Sequence, residues 1–138
     1  MADINHDLLH TIYKALQKRD TEVFGRYLAD DARHHIHVPI EVHPIGGLRT
    51  GKVAIIERMN EIARSFTTLS FAIDDLLVGN GRAAARVRVA SLHRISGEQY
   101  RGTVVHFWTF HDGLITGLDE YHDMGDVLGF TERAVERV

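Results

Sequence analysis

The stretch QYRGTVVHFWTFHDGLITGLDEYHD, residues 99–123, decides the fold of this chain. Two runs of strand length, rich in β-branched and aromatic residues, flank Asp112-Gly113, a pair typical of hairpin turns. The sequence therefore predicts a long β-hairpin over these residues. Ionisable side chains, above all His106 and Glu120, interrupt strands that otherwise look half-buried. A buried ionisable group costs free energy unless it has a partner or a function, so these two residues are the first candidates for a functional site.

The residues before the hairpin predict two more strands. Residues 69–78 and 82–94 alternate with a period of two, and turn signals that contain glycine follow each of them. Four consecutive strands joined by short turns make an antiparallel meander.

Three stretches nearer the start of the chain have the spacing of amphipathic helices. Apolar residues recur there at intervals of three and four, at residues 4–18, 21–28 and 52–65. Asp3 or Asn5 is the candidate N-cap of the first helix, and Thr21 is that of the second.

The remaining segments complete the predicted architecture. Residues 32–42 predict a strand that Pro39 interrupts, which points to a sheet edge or a bulge. Residues 43–51 predict a loop, and residues 124–138 predict a weak helix that could cover or frame a pocket mouth. Helices segregated before a twisted antiparallel sheet indicate an α+β domain over residues 1–138, with a pocket between the two layers.

The composition argues against several classes of function. A net charge of −3 with both signs interspersed offers no basic surface for nucleic acid and no polybasic patch for a membrane. The 138 residues include no cysteine, so disulfides and thiolate sites are excluded. No cationic segment followed by an apolar run opens the sequence, and no apolar stretch has the length of a membrane span. A cytoplasmic location is therefore predicted.

Three short motifs carry a family resemblance. They are LADDA at residues 28–32, GKVAI at residues 51–55 and FHDGLI at residues 110–115. With the order of elements, they resemble the NTF2-like superfamily, and more narrowly its SnoaL-like branch. That branch includes polyketide cyclases, and its relatives include ketosteroid isomerases and limonene-epoxide hydrolases. The resemblance implies an NTF2-like cone, in which three N-terminal helices pack on a curved antiparallel sheet that encloses a pocket.

The resemblance also implies roles for particular residues. Glu120 matches the acid on the last strand that acts as the base in SnoaL-type cyclases, and His106 matches their histidine on the preceding strand. The epoxide hydrolases carry Arg-x-Asp one strand earlier, where this chain has Arg88-Val89-Ala90, so the arginine is present and the second acid is missing. The catalytic positions of the ketosteroid isomerases fall on residues without that chemistry, and that activity is set aside.

Elementary chemistry gives the same pair a mechanism. Desolvation in an apolar pocket raises the pKa of a carboxyl, so Glu120 is the candidate base, with a pKa expected above about 4.3 unless a charged His106 opposes burial. His106 would donate to a developing enolate oxygen or carry the proton.

This mechanism requires both side chains on one face of the hairpin. A strict two-residue loop at Asp112-Gly113 pairs His106 with Asp119, and Glu120 is then a solvated residue. One extra residue in a bulged turn places His106 opposite Glu120 instead. The sequence allows both alternatives.

The other candidate residues have two interpretations each. His35, His37 and His43 could bind a metal, because His-x-His on a strand places two imidazoles on one face, but no third ligand has a diagnostic spacing. No metal and no cofactor are predicted. The predicted substrate contacts are Arg88, Trp108, His35, His37, Tyr13 and His122. The aromatic residues could instead be core, Arg88 could pair with Glu98, Asp119 or a partner subunit, and His34 is expected on the surface.

These inferences predict a cofactor-independent enzyme of cyclase, isomerase or hydratase type. It would act by proton abstraction on a small hydrophobic carbonyl compound. The alternative is a non-catalytic domain that binds a small ligand or serves as a dimeric scaffold. Helices on one face of the sheet leave the other face uncovered, so a homodimer is predicted.

Overall fold

The computed structural model describes residues 6–137 of the chain, as four helices and six strands. In chain order they are α1 (His6–Gln17), α2 (Thr21–Gly25), β1 (Leu28–Ile36), β2 (Gly47–Thr50), α3 (Lys52–Ser65), β3 (Phe66–Val78), β4 (Arg82–His93), β5 (Gln99–His111), β6 (Leu114–His122) and α4 (Met124–Arg137). The predicted start of the first helix, with Asp3 and Asn5 as caps, lies outside the described residues. The second helix is capped by Asp20, whose carboxylate accepts from the Val23 N–H at 3.1 Å, and not by Thr21.

The strands form one sheet in the order β2-β1-β6-β5-β4-β3. The last four strands pair antiparallel in succession, which confirms the predicted meander. The prediction of a purely antiparallel sheet is wrong at one place, because β1 runs parallel to β6. β1 is not an edge strand either, since it pairs with β6 on one side and with β2 on the other. Pro39 lies beyond the last residue of β1, so it interrupts no ladder.

The predicted boundaries fail around β1 and β2. The predicted second helix extends to Leu28, but α2 ends at Gly25 and Leu28 already pairs with Ile115 of β6. The predicted loop over 43–51 contains β2, which pairs antiparallel with β1 from Arg33 opposite Thr50. A strand of four residues is too short to show a period, and it forms because the free edge of β1 supplies its hydrogen-bond partners.

The turn of the hairpin has two residues, and the extra residue lies in the strand beyond it. Asp112 and Gly113 have φ of 50° and 76°, the left-handed values that a type I′ turn requires. The register shifts between Thr109 and Phe110, because Thr116 of β6 has no opposite residue. The shift pairs His106 with Glu120, as in the second alternative above, although the bulge is in β6 and not in the turn.

The apolar core lies between the concave face of the sheet and the helices. Leu9 and Ile12 of α1 are fully buried against it, with Val87 of β4 and Trp108 of β5. At the other end α4 packs against β5 and buries Phe130, so the predicted tail helix is present and lies over this end of the sheet. The longest helices have 14 residues, and between residues 6 and 137 no helix has the apolar length that a bilayer crossing requires.

A buried arginine ties α3 to the sheet. The guanidinium of Arg58 donates from Nη2 to the His34 carbonyl at 2.6 Å and from Nη1 to the Gly47 carbonyl at 2.8 Å. Burial lowers the pKa of Arg58 to about 10, so the group stays charged at neutral pH. Because the guanidinium carries several N–H donors in a fixed fork, Arg58 can bind carbonyls of two strands at once, and it positions β1 and β2 relative to α3.

We expect Arg58→Met to lower the free energy of unfolding by about 3 kcal/mol, because each buried carbonyl left without a donor costs about 1–3 kcal/mol. Arg64→Met, on the exposed side of the same helix, is the matched control and should change stability by less than about 0.5 kcal/mol. Urea unfolding followed by circular dichroism measures both. Equal effects of the two substitutions would contradict the assigned role of Arg58.

Candidate active site

A cavity of about 140 Å³ lies between the sheet and the helices. An apolar cavity of about 150 Å³ engineered in another protein holds benzene, so this space suits a small ligand. Most of the wall is apolar, formed by Leu16, Ile36, Val38, Ile45, Met59, Ile62, Phe66, Phe71, Val89, Val104, Leu118, Val127 and Phe130. The ionisable residues of the wall are Arg19, His34, His43, Tyr100, His106, Glu120 and His122.

Three imidazoles surround the carboxylate of Glu120. His122 Nε2 lies 2.7 Å from Oε2, and His34 Nε2 and His106 Nε2 lie 3.4 Å and 3.6 Å from Oε1. The side chains are secluded, with 2% of His34, 7% of His106, 12% of His122 and 19% of Glu120 exposed. A carboxylate at this depth needs such donors, because the wall around it offers little other polar contact.

The sheet brings these residues together from three adjacent strands. His106 of β5 is directly opposite Glu120 of β6, and His122 follows two positions later on the same face. On the other side of β6, Ile36 of β1 is the parallel partner of Glu120, so His34 sits two residues earlier on that face. The parallel pairing of β1 with β6 is what adds the third imidazole.

The tautomer of His106 follows from a chain of buried hydrogen bonds. Trp108 can only donate, and its Nε1–H donates to the Tyr13 hydroxyl at 2.9 Å. The Tyr13 hydroxyl is 2.7 Å from His106 Nδ1, and because its oxygen already accepts from Trp108 we assign its own proton to this contact. His106 therefore carries its proton on Nε2, the nitrogen that faces Glu120.

A second chain of the same kind ends on the other carboxylate oxygen. The Tyr100 hydroxyl lies 2.9 Å from His122 Nδ1, and His122 Nε2 contacts Glu120 Oε2. Burial raises the pKa of the Tyr100 hydroxyl, and likewise that of Tyr13, so both keep their protons at neutral pH. Two Tyr-His pairs thus converge on one carboxylate.

The histidines reverse the expected direction of the pKa shift at Glu120. Burial alone raises the pKa of the Glu120 carboxyl, but the close contacts of its oxygens with His106, His122 and His34 hold it well below its usual value. The expectation of a raised pKa was wrong, because it weighed burial against one imidazole and the site has three. Burial also lowers the pKa of His34 and favours its neutral form.

Comparison with known proteins identifies the family. A family model described as a SnoaL-like domain matches residues 9–118. The chain belongs to the SnoaL-like family.

Solved structures share the fold of this SnoaL-like protein. A proposed isomerase from Rhodopseudomonas palustris is 26% identical, with 94% of each chain covered and a TM-score of 0.78. An NTF2-like protein of unknown function from Burkholderia pseudomallei is 17% identical, with 91% of this chain and 95% of that chain covered and a TM-score of 0.78. A proposed polyketide cyclase from Xanthomonas campestris is 18% identical, with 91% and 94% covered and a TM-score of 0.73. These likenesses confirm the predicted α+β NTF2-like cone, while no curated protein matches.

The predicted site residues of this SnoaL-like protein fall into three groups. Glu120, His106 and His122 line the cavity. Tyr13 and Trp108 lie behind His106, where they act on its tautomer and do not line the cavity.

The third group lies outside the cavity, which corrects three predicted substrate contacts. Arg88 points away because it alternates with Val87 and Val89, which face inward, and its Nε binds the Asp74 carboxylate at 2.6 Å. His35 and His37 lie on the opposite face of the sheet from His34, stacked on each other and away from the cavity.

Sequence reasoning missed several residues of the cavity, and His34 is the most important. It was expected on the surface, yet it is 2% exposed. Ala32 and Ile36 alternate with it on the same face of β1 and are buried too, so this alternation was the available signal. Tyr100, His43 and Arg19 also line the cavity without having been predicted there.

The residues with metal-ligand spacing are not those that the sequence suggested. His43 lines the main cavity and is separate from His35 and His37. Asp119 joins that pair instead, with ligand atoms that all lie within 4.8 Å of one another. The rings of His35 and His37 are stacked with centroids 3.8 Å apart and planes 20° apart, so their in-plane lone pairs do not converge. A metal would require one ring to rotate.

We expect Glu120→Gln to lower the free energy of unfolding at pH 7 by about 2 kcal/mol, the net of lost charge-assisted hydrogen bonds and relieved burial of charge. Because the folded-state pKa of Glu120 is lowered, its stabilisation is present above the unfolded-state pKa of about 4.3 and is lost as pH falls through the folded-state value. The difference between parent and variant should therefore persist from pH 8 to about pH 5 and shrink only below about pH 4.3.

Chemical denaturation at a series of pH values measures this difference. Glu22→Gln is the matched control, because the Glu22 side chain is 84% exposed. His34 makes both proteins less stable as pH falls below about 6.5, since the unfolded chain binds that proton more readily. A variant as stable as the parent at pH 7 would contradict the ionised, hydrogen-bonded state of Glu120.

Proposed function

We propose that this SnoaL-like protein is a cofactor-independent enzyme that moves a proton on a small hydrophobic carbonyl compound, as an isomerase or cyclase does. One observation carries the proposal: an ionised carboxylate, held by imidazoles of defined tautomer, lies in the wall of a small apolar cavity. A buried charge is not expected in a core that has only a structural role, since an apolar residue of similar size avoids the free-energy cost of burying a charge.

In the proposed mechanism Glu120 is the base. The carboxylate takes a proton from the carbon next to the substrate carbonyl, and the electron pair of that C–H bond moves to the carbonyl oxygen as an enolate forms. The negative charge thereby leaves Glu120, and the Nε2–H groups that held it, His106 first, become available to the enolate oxygen. Where the enolate is conjugated with a C=C bond, return of the proton from Glu120 to the far carbon of that system completes an isomerisation. In a cyclisation the enolate carbon attacks a second carbonyl, and the oxygen of that carbonyl takes the proton from Glu120 as its C=O π bond breaks.

The low pKa of Glu120 has opposite effects on this reaction. It keeps the carboxylate ionised at neutral pH, so the base is always ready. It also makes Glu120 a weak base, which makes proton transfer from the substrate less favourable. Hydrogen bonds to the enolate oxygen must therefore stabilise the enolate enough to offset this loss of free energy. The three imidazoles lie around the Glu120 carboxylate, where they can form such hydrogen bonds.

The comparisons support the reaction class without naming the reaction. The R. palustris structure is described as a proposed isomerase and the X. campestris structure as a proposed polyketide cyclase. Both reactions can pass through an enolate. The single domain over residues 1–138 and the cytoplasmic location stay predictions of the sequence.

Exchange of carbon-bound hydrogen for deuterium tests the proposal without the natural substrate. We expect the protein to accelerate exchange next to the carbonyl of small cyclic ketones in D₂O, followed by proton NMR. Glu120→Gln should lower the rate at least about 100-fold, the usual contribution of a general base. Glu22→Gln should leave it unchanged. Undiminished exchange by Glu120→Gln would refute its role as the base, and binding of ketones without exchange would favour a ligand-binding domain.

We also propose that the protein is a homodimer formed through the outer face of the sheet. Phe107 of β5 and Tyr121 of β6 lie on that face in edge-to-face contact, with 45% and 43% of their surface exposed. The helices cover the other face, so aromatic surface here is left for a partner. A twofold axis allows the same patch on both subunits to cover itself.

Light scattering after size-exclusion chromatography should give about twice the chain mass of 15.6 kDa. We expect Phe107→Lys to shift the mass toward the monomer, because it places a charge in the apolar contact. Val53→Lys, which adds the same charge at a 74% exposed position on the helix side, should leave the dimer intact. A monomeric parent at micromolar concentration contradicts the proposal.

A further inference from the structure

Arg19 occupies a backbone position at which glycine is the usual residue. It follows α1, where its N–H binds the Leu16 carbonyl at 3.1 Å and the Asp20 N–H binds the Ala15 carbonyl at 2.9 Å. This pair of hydrogen bonds is a Schellman motif, which requires the left-handed conformation at residue 19. Arg19 has a φ of 55°, a value unfavourable for a side chain with a Cβ. A strained residue of this kind often marks a function of its side chain.

The side chain of Arg19 lies in the wall of the cavity. Its Nε donates to Thr68 Oγ1 at 3.1 Å, which orients the guanidinium. Its Nη1 and Nη2 make no hydrogen bond or ion pair with any of the side chains described, which are those of residues 6–135. Two parallel N–H donors of a charged, half-buried group are therefore left for a ligand, which is the arrangement that binds a carboxylate.

The surroundings of Arg19 suit the same ligand. Thr68 and Ser70 of β3 and Ser91 of β4 line the cavity with it, and Thr68 is directly opposite Ser91. The Thr68 hydroxyl accepts from Arg19 and keeps its own proton to donate. β3 lies three strands from β6, which carries Glu120, so the cavity has a cationic polar region and an anionic one on different strands. The wall between them is apolar, with Phe71 and Val89 among its residues.

A purely structural role explains Arg19 less well. The neighbouring Gln17 already links this end of the helix to β3, through a hydrogen bond from Nε2 to the Phe71 carbonyl at 3.3 Å. Burial lowers the pKa of Arg19 and the negative charge of Glu120 opposes that change, so the guanidinium is partly dehydrated and senses the carboxylate. A dehydrated cation without a paired anion is costly in the empty cavity and favourable once an anion binds.

We propose that the substrate is a small hydrophobic keto acid whose carboxylate binds the Nη1 and Nη2 of Arg19 and the Thr68 hydroxyl. The proposal rests on the proposed proton transfer, because it places the carbonyl of the same molecule toward Glu120. The two charged residues then have separate tasks: Arg19 holds the anion and Glu120 takes the proton. The repulsion between Glu120 and an anionic ligand also selects one orientation in the cavity, with the carboxylate at Arg19.

A matched pair of ligands tests the proposal. 4-Oxocyclohexanecarboxylate and its carboxamide are nearly equal in size and both enolise, but only the first is an anion. We expect calorimetry to show that the protein binds the carboxylate at least tenfold more tightly than the carboxamide. Arg19→Gln should abolish this preference, while Lys18→Gln, which removes a neighbouring exposed cation, should retain it.

A second variant, Arg19→Gly, separates a loss of ligand binding from a loss of folding. Glycine suits the left-handed backbone, so this variant should melt at or above the temperature of the parent and still lose the preference for the carboxylate. Equal affinity of the parent for the two ligands, or no binding of either, would overturn the proposal.

Deuterium exchange on the same ligands separates this proposal from the proposed reaction. A preference for the carboxylate that depends on Arg19, without exchange of either ligand, supports the anion site and refutes the catalysis. Exchange that depends on Glu120 and is equally fast for both ligands, with or without Arg19, overturns the anion site and supports the catalysis. Glu120→Gln should lose exchange and keep the preference for the carboxylate.

Discussion

The negative charge of Glu120 is the constraint on which the rest of the site depends. A carboxylate in the wall of an apolar cavity cannot be left without donors, and three strands each contribute to its support. Two of the neighbouring imidazoles, those of His106 and His122, in turn contact the hydroxyls of Tyr13 and Tyr100 through their Nδ1 atoms. One charge thereby constrains the hydrogen bonding of buried side chains on α1, β1, β5 and β6. The polar network and the apolar core around it must therefore pack together.

The parts of the fold that follow from local pattern could be predicted from the sequence. The hairpin around Asp112-Gly113 and the helix over residues 52–65 follow from turn chemistry and from periodicity, and both were found. The parallel pairing of β1 with β6 and the short strand β2 could not be predicted, because each depends on a partner far away in the chain. Their positions are set by tertiary contacts, to which Arg58 contributes.

The candidate site, like the fold, could be predicted from the sequence only in part. Glu120 and His106 stand out because they interrupt an apolar pattern. Whether they share a face depends on one bulge that no turn rule predicts. His34 was missed because its neighbours His35 and His37 made the whole segment look polar, and the direction of the Glu120 pKa shift changed with it. Arg19 gave no signal, because only the structure reveals its backbone conformation.

The bulge at Thr116 has an evolutionary consequence. Because Thr116 has no opposite residue, a relative that lacks it would still pair its acid with the histidine opposite, through a regular ladder, and that acid would lie one residue nearer the turn. A single codon lost at this position would thus remove the bulge and leave the pairing of the acid with His106 unchanged. A comparison that counts residues from the turn without a gap would therefore match Glu120 with the wrong residue of such a relative. The equivalent acid is found only when the bulged residue is treated as an insertion.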